Sequence, residues 1–79
     1  METRIALLAI MVKNQDSVEK LNALLHEYRA YIIGRMGIPY KQKQVAIISI
    51  AIDATQDIIS ALSGKIGALE GVSSKTVFA

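Results

Sequence analysis

Two nearly unbroken apolar runs, Ile5 to Val12 and Val45 to Ile52, constrain this chain more than any other feature. Each is eight residues long. That is short for a typical helix and far short of the roughly 20 residues a membrane span needs. Turn-type residues flank them: Lys13-Asn14-Gln15-Asp16 follows the first, and Lys41-Gln42-Lys43-Gln44 precedes the second. Both runs therefore read as strands. For the first, a strand is expected rather than the core of a secretory leader: Arg4 precedes it, but Lys13-Asn14-Gln15-Asp16 follows, with no small-residue cleavage site.

Side chains alternate across a strand. The first run puts Ile5, Leu7, Ala9 and Met11 on one side and Ala6, Leu8, Ile10 and Val12 on the other. The second splits into Val45, Ile47, Ser49 and Ala51 against Ala46, Ile48, Ile50 and Ile52. Both faces are apolar in both strands. A sheet with one wet face would alternate with polar residues instead, so both faces of this sheet call for a cover.

Between the runs, Val18, Leu21, Leu24, Leu25 and Tyr28 recur at helical intervals, with Glu19, Lys20, Glu27 and Arg29 on the solvent side. The spacing predicts a helix over 16–29, with Asp16 and Glu19 placed as a capping box. Tyr31 to Gly37 is β-branched and punctuated by Gly34 and Gly37, which suggests a second strand with a bend or bulge. Ile38-Pro39-Tyr40 should break its ladder, since Pro has no amide to donate. After the third strand, Asp53-Ala54-Thr55 opens a second helix, with Thr55 as its cap. Ile58, Ile59, Leu62, Ile66 and Leu69 mark the buried face of this helix. Gly64 and Gly67 interrupt it, either to allow close packing on the sheet or to loosen the last turn. Gly71 is a natural helix stop. Val72 to Phe78 alternates imperfectly and reads as an edge-like fourth strand.

The order strand, helix, strand, strand, helix, strand is the split βαβ, or ferredoxin-like, α+β arrangement: a four-stranded antiparallel sheet with two helices on one face. The 79 residues make one domain, 1–79, and leave nothing to cover the second face. Four to six aliphatic side chains left in water would forgo about 1.5–3 kcal/mol each, comparable to the whole stability of a small domain. A second copy of the chain is the economical cover, so a homo-dimer or homo-tetramer packed through the sheet is expected. Ile5, Leu7, Met11, Val45 and Ile47 are its candidate interface residues.

Little in the sequence points to chemistry. There is no cysteine and one histidine, His26, so no transition-metal site is expected and no cofactor is called for. His26 reads as a solvated helix residue. The acids sit at helix starts or on polar faces, and no pair has a reason to have its pKa values pushed apart. No serine lies in a nucleophile-elbow pattern. Ser63-Gly64-Lys65 lacks the upstream glycine of a phosphate loop and falls inside a helix. The net charge of +2 is spread along the chain, the central strands lack base-stacking aromatics, and there is no helix-turn-helix. These features argue against catalysis and direct nucleic-acid binding. Without cysteine or a membrane span, a cytoplasmic location is expected. The distinctive segment is Gly34-Arg35-Met36-Gly37-Ile38-Pro39. Arg35 either holds an anion or a partner carboxylate, or snorkels at a strand edge where the glycines allow a bulge; the latter is the simpler reading.

At Gly34 to Tyr40, and again at Ala61-Leu62-Ser63-Gly64-Lys65-Ile66-Gly67 with Gly71-Val72, the chain resembles the small bacterial proteins labelled iron-only hydrogenase system regulators. The resemblance runs over essentially the whole length. It implies an ACT-like variant of the ferredoxin-like fold, similar also to the C-terminal domain of the nickel-responsive repressor, and a regulatory or ligand-sensing role in dimers or tetramers. The repressor's nickel site needs several histidines and a cysteine, so it does not carry over. ACT domains often bind amino acids at a glycine-containing turn after the first strand; here that turn, Lys13 to Asp16, has no glycine. A small effector or partner protein is expected between subunits, near the Gly34–Tyr40 bend or the strand–helix turns. Asn14, Asp16, Gly34, Arg35 and Gly37 are the candidate contact residues. The other reading is a structural or adaptor oligomer without a small ligand.

Overall fold

The computed structural model describes residues 2–79. Six main elements follow one another: β1 (Arg4–Val12), α1 (Val18–Glu27), β2 (Ile32–Tyr40), β3 (Val45–Ala54), α2 (Gln56–Gly67) and β4 (Val72–Phe78). The sheet order is β2-β3-β1-β4, with every neighbouring pair antiparallel. The two apolar runs are thus the central strands. They pair in unbroken register from Arg4–Ala54 to Val12–Ala46. This is the ferredoxin-like arrangement expected from the element order.

The register decides which side of each run is buried. Ala6, Leu8, Ile10 and Val12 of β1 join Ile48, Ile50, Ile52 and Ala54 of β3 beneath the helices. Leu21 and Leu25 of α1 and Ile59, Leu62 and Ile66 of α2 close over them. The core is almost wholly aliphatic, with Tyr28 at its margin. Such side chains fill a layer without hydrogen-bonding demands.

Several local expectations need correction. Asp16 does not cap α1. A 3-10 turn, Gln15–Ser17, comes first, and the Asn14 side chain accepts from the Asp16 amide at 3.0 Å. Ser17, at the head of α1, makes no side-chain cap bond. Its buried hydroxyl instead donates to the Glu70 carbonyl at 2.6 Å, trading a local cap for a tertiary tie. Pro39 does not break the ladder either, because β2 runs on to Tyr40 with Pro39 opposite Ala46. An edge strand has one side without ladder partners, so a residue lacking an amide proton is tolerated there. Asp53 and Ala54 remain in β3, opposite Ile5 and Arg4, rather than opening the helix. Thr55 does cap α2, accepting from the Ile58 amide at 3.3 Å.

Gly71 is fixed for two reasons. Its φ of +70° favours glycine, and a Cβ there would meet Asn14 Cβ at 2.6 Å. The close approach belongs to a clasp in which the Lys13 amide donates to the Gly71 carbonyl at 2.7 Å. Together with Ser17–Glu70, it pins the β1–α1 turn to the α2–β4 turn. Gly64 and Gly67 differ, since a Cβ at either would have nothing within 4 Å. Close packing on the sheet is therefore not why they are glycine.

These environments predict opposite signs in urea unfolding. Gly71→Ala should destabilise by about 1–3 kcal/mol through strain and steric clash. Gly64→Ala should stabilise by up to about 1 kcal/mol through lower unfolded-chain entropy and higher helix propensity. A neutral Gly71→Ala would show that the turn does not hold its backbone as described. Ser17→Ala should cost about 1–3 kcal/mol by leaving the Glu70 carbonyl without its partner; an unchanged midpoint would remove the clasp from the account.

Candidate functional site

The face of the sheet turned away from the helices is open and largely apolar. β1 supplies Ile5, Leu7, Ala9 and Met11; β3 supplies Val45, Ile47, Ser49 and Ala51. All five candidate interface residues, Ile5, Leu7, Met11, Val45 and Ile47, lie on this face. Ile5 is 52% exposed and Leu7 49%, while Val45 and Ile47 are half-buried. Leu8, Ile10, Ile50 and Ile52, from the other side of the same strands, are sealed from solvent. One strand pair thus supplies both the core and the open face.

The outer strands extend this face. Val77 of β4 stands beside Leu7 and is 62% exposed. On β2, Met36, Ile38 and Tyr40 stand beside Ser49, Ile47 and Val45. These four residues were not anticipated from the sequence. Their signal is the period-two alternation of Met36, Ile38 and Tyr40, hidden by treating Pro39 as a break.

The bulge lies between Ile32 and Gly34, where the register shifts. Ile32 pairs with Ile52 and Gly34 with Ala51, leaving Ile33 as the extra residue. A one-residue slip sends every later side chain to the other face. Gly34, Met36, Ile38 and Tyr40 therefore join the open face, while Arg35 and Gly37 share rows with Ile50 and Ile48 on the helix-covered side. Gly34 and Gly37 have open space where a Cβ would sit.

Asn14 and Asp16 lie elsewhere. They belong to the turn beyond Val12, at the β1–β4 side of the sheet, and Asn14 packs against Gly71. Arg35 is on the far edge strand, four ladder positions back from Pro39, the residue level with Val12. At about 3.3 Å per residue and two strand spacings, that separation exceeds 10 Å. One chain therefore does not gather the five candidate contact residues into a single site. Asn14 is already engaged in holding its own turn.

Among the described residues, no group of three or more His, Asp or Glu side chains could hold a metal ion. Lys65 pairs with Glu27 at 3.4 Å between the helices, with Lys65 Nζ also 5.1 Å from the Tyr28 ring centre. Tyr28 first, then Glu27, favours the ammonium and raises its pKa, so Lys65 stays charged through the neutral range. Arg4 lies over the Phe78 ring at 4.0 Å and donates to the Gln56 side chain. No described helix is long and apolar enough to cross a membrane.

The chain is similar to the uncharacterized protein TM1266 from Thermotoga maritima, with 37% identity over 98% of each chain and a TM-score of 0.94. It is also similar to part of a formyltetrahydrofolate deformylase from Pseudomonas putida KT2440, with 14% identity and a TM-score of 0.66, over 92% of this chain and 28% of that one. At that identity the second likeness concerns the fold alone. No curated protein matches the chain. A family model described as "TM1266-like: Iron-only hydrogenase system regulator, putative" matches residues 4–76. The chain therefore belongs to the TM1266-like family.

Proposed function

We propose that this chain is a non-enzymatic, cytoplasmic regulatory module of an iron-only hydrogenase system, acting as a homo-oligomer joined through the open sheet face and responding to a small effector or partner protein. The observation that carries the self-association is the continuous apolar surface of Ile5, Leu7, Met11, Ile47, Ile38 and Val77, which none of the described elements covers. Exposed apolar patches of this kind mark interaction surfaces. A second copy suits the charge balance as well. The strands contribute Lys75 and Asp53 to this face, so the charges cancel and a copy is not repelled. The family description, a regulator, supports both the regulatory role and the non-enzymatic reading.

Sedimentation at micromolar concentration tests the assembly. The native chain should sediment at a multiple of 8.6 kDa, and Leu7→Asp should shift it to the monomer by placing a charge within the apolar contact. A folded native monomer would end the oligomer reading. Circular dichroism separates dissociation from unfolding in the variant.

The sensing role is tested by a thermal-shift screen over amino acids, nucleotides, metals and organic acids. A ligand that binds only the folded state raises its stability by about 2.7 kcal/mol at 100 times its Kd. A reproducible rise supports sensing. A flat screen with an intact oligomer favours a structural adaptor. Hydrogenase maturation genes beside the coding gene would support the link to that system.

A further inference from the structure

The bulge at Ile33 has a second effect, on the opposite face. Counted by strict alternation from Ile32, Arg35 would stand on the open apolar face. The extra residue turns it instead to the α1 side, in the row of Ile50. There it lines a pocket of about 330 Å³ with Asn22, Leu25, His26, Arg29 and Ile32. Leu25 is buried and Ile32 half-buried, so they form an apolar floor. Asn22, His26, Arg29 and Arg35 supply the polar rim, without a carboxylate among the lining residues.

We infer that this pocket binds a small dianionic ligand, a phosphate ester or a dicarboxylate, with Arg35 and Arg29 as its charge partners and Asn22 and His26 as neighbouring hydrogen-bonding groups. The inference rests on the effector-binding part of the proposed function and names the ligand class, but one chain supplies every charge, unlike a site between subunits. Guanidinium groups match carboxylate and phosphate oxygens with paired hydrogen bonds. Among the described residues, neither arginine forms an ion pair, and the Arg35 side chain makes no hydrogen bond. Arg29 donates from Nη1 to the His26 carbonyl at 2.9 Å, which anchors it at the end of α1. That bond also covers one of the helix-terminal carbonyls that would otherwise repel an anion. The volume is at the lower end for small-molecule sites, which suits a compact metabolite.

The test is a titration of the ¹⁵N-labelled full chain at constant ionic strength with inorganic phosphate, succinate and the uncharged succinamide. Saturable shifts at Asn22, His26, Arg29 and Arg35 are expected with phosphate or succinate, and none with succinamide. The tighter of the two anions identifies the ligand's head group. Arg35→Gln should weaken that binding at least about 10-fold, as loss of a charge-assisted bond pair implies, whereas Lys41→Ala should leave it unchanged. Arg35 is exposed, so the variant should fold, and circular dichroism checks that it does. No saturable shift, equal binding by Arg35→Gln, or an equal loss in Lys41→Ala would overturn the pocket. If the thermal-shift screen finds an effector that Arg35→Gln still binds as the native chain does, the pocket fails while the sensing role stands. Sedimentation of Arg35→Gln reports separately on assembly: lost anion binding with an unchanged oligomer supports the pocket, and loss of both overturns it.

Discussion

The antiparallel register between β1 and β3 is the constraint on which the rest of this structure depends. Their strands are apolar on both sides, so composition alone does not say which side the helices cover. The unbroken pairing from Arg4–Ala54 to Val12–Ala46 groups Ala6, Leu8, Ile10 and Val12 with Ile48, Ile50 and Ile52. Those side chains are larger in sum than the alternative set with Ala9, Ser49 and Ala51, and they form the layer under α1 and α2. The opposite side is left with small residues at its centre and larger ones around them. Core and open face are therefore two consequences of one pairing.

The bulge in β2 adds a second constraint. By absorbing one residue at Ile33, it sends Met36, Ile38 and Tyr40 to the open face and Arg35 to the pocket beside α1. A regular strand would have put a guanidinium in the middle of the apolar surface and three large apolar side chains on the helix side. Bulges re-aim side chains in this way and bend the strand that carries them. Two functional readings with no shared residues thus depend on the same irregularity.

Much of this was legible from residue patterns, for identifiable reasons. Eight-residue apolar runs cannot hide among helices, the helical spacing of Leu21, Leu24, Leu25, Ile59, Leu62 and Ile66 is regular, and Thr55 and Gly71 are typical cap and stop residues. The errors arose where a residue's local preference yielded to a distant partner. Asp16 had the spacing of a cap, but Asn14 holds the turn and Ser17 reaches across to Glu70. Pro39 had the chemistry of a ladder breaker, but β2 is an edge strand and can carry it. The proposed contact residues were grouped by their position near turns and glycines; the sheet order separates Asn14 and Asp16 from Arg35.

The sequence by itself determined the number and kind of elements, the α+β class, and the surplus of apolar strand surface. These follow from periodicity and chain length, which are local properties. Only the tertiary structure decided which face of each strand is covered, where β2 slips, and which charged side chains meet. Those depend on register between segments far apart in the chain, where a shift of one residue exchanges the two faces of a strand without changing its composition. The surplus of apolar strand surface was visible in composition; the register put Ile5, Leu7, Met11, Val45 and Ile47 on the open face, and the bulge added Met36, Ile38 and Tyr40.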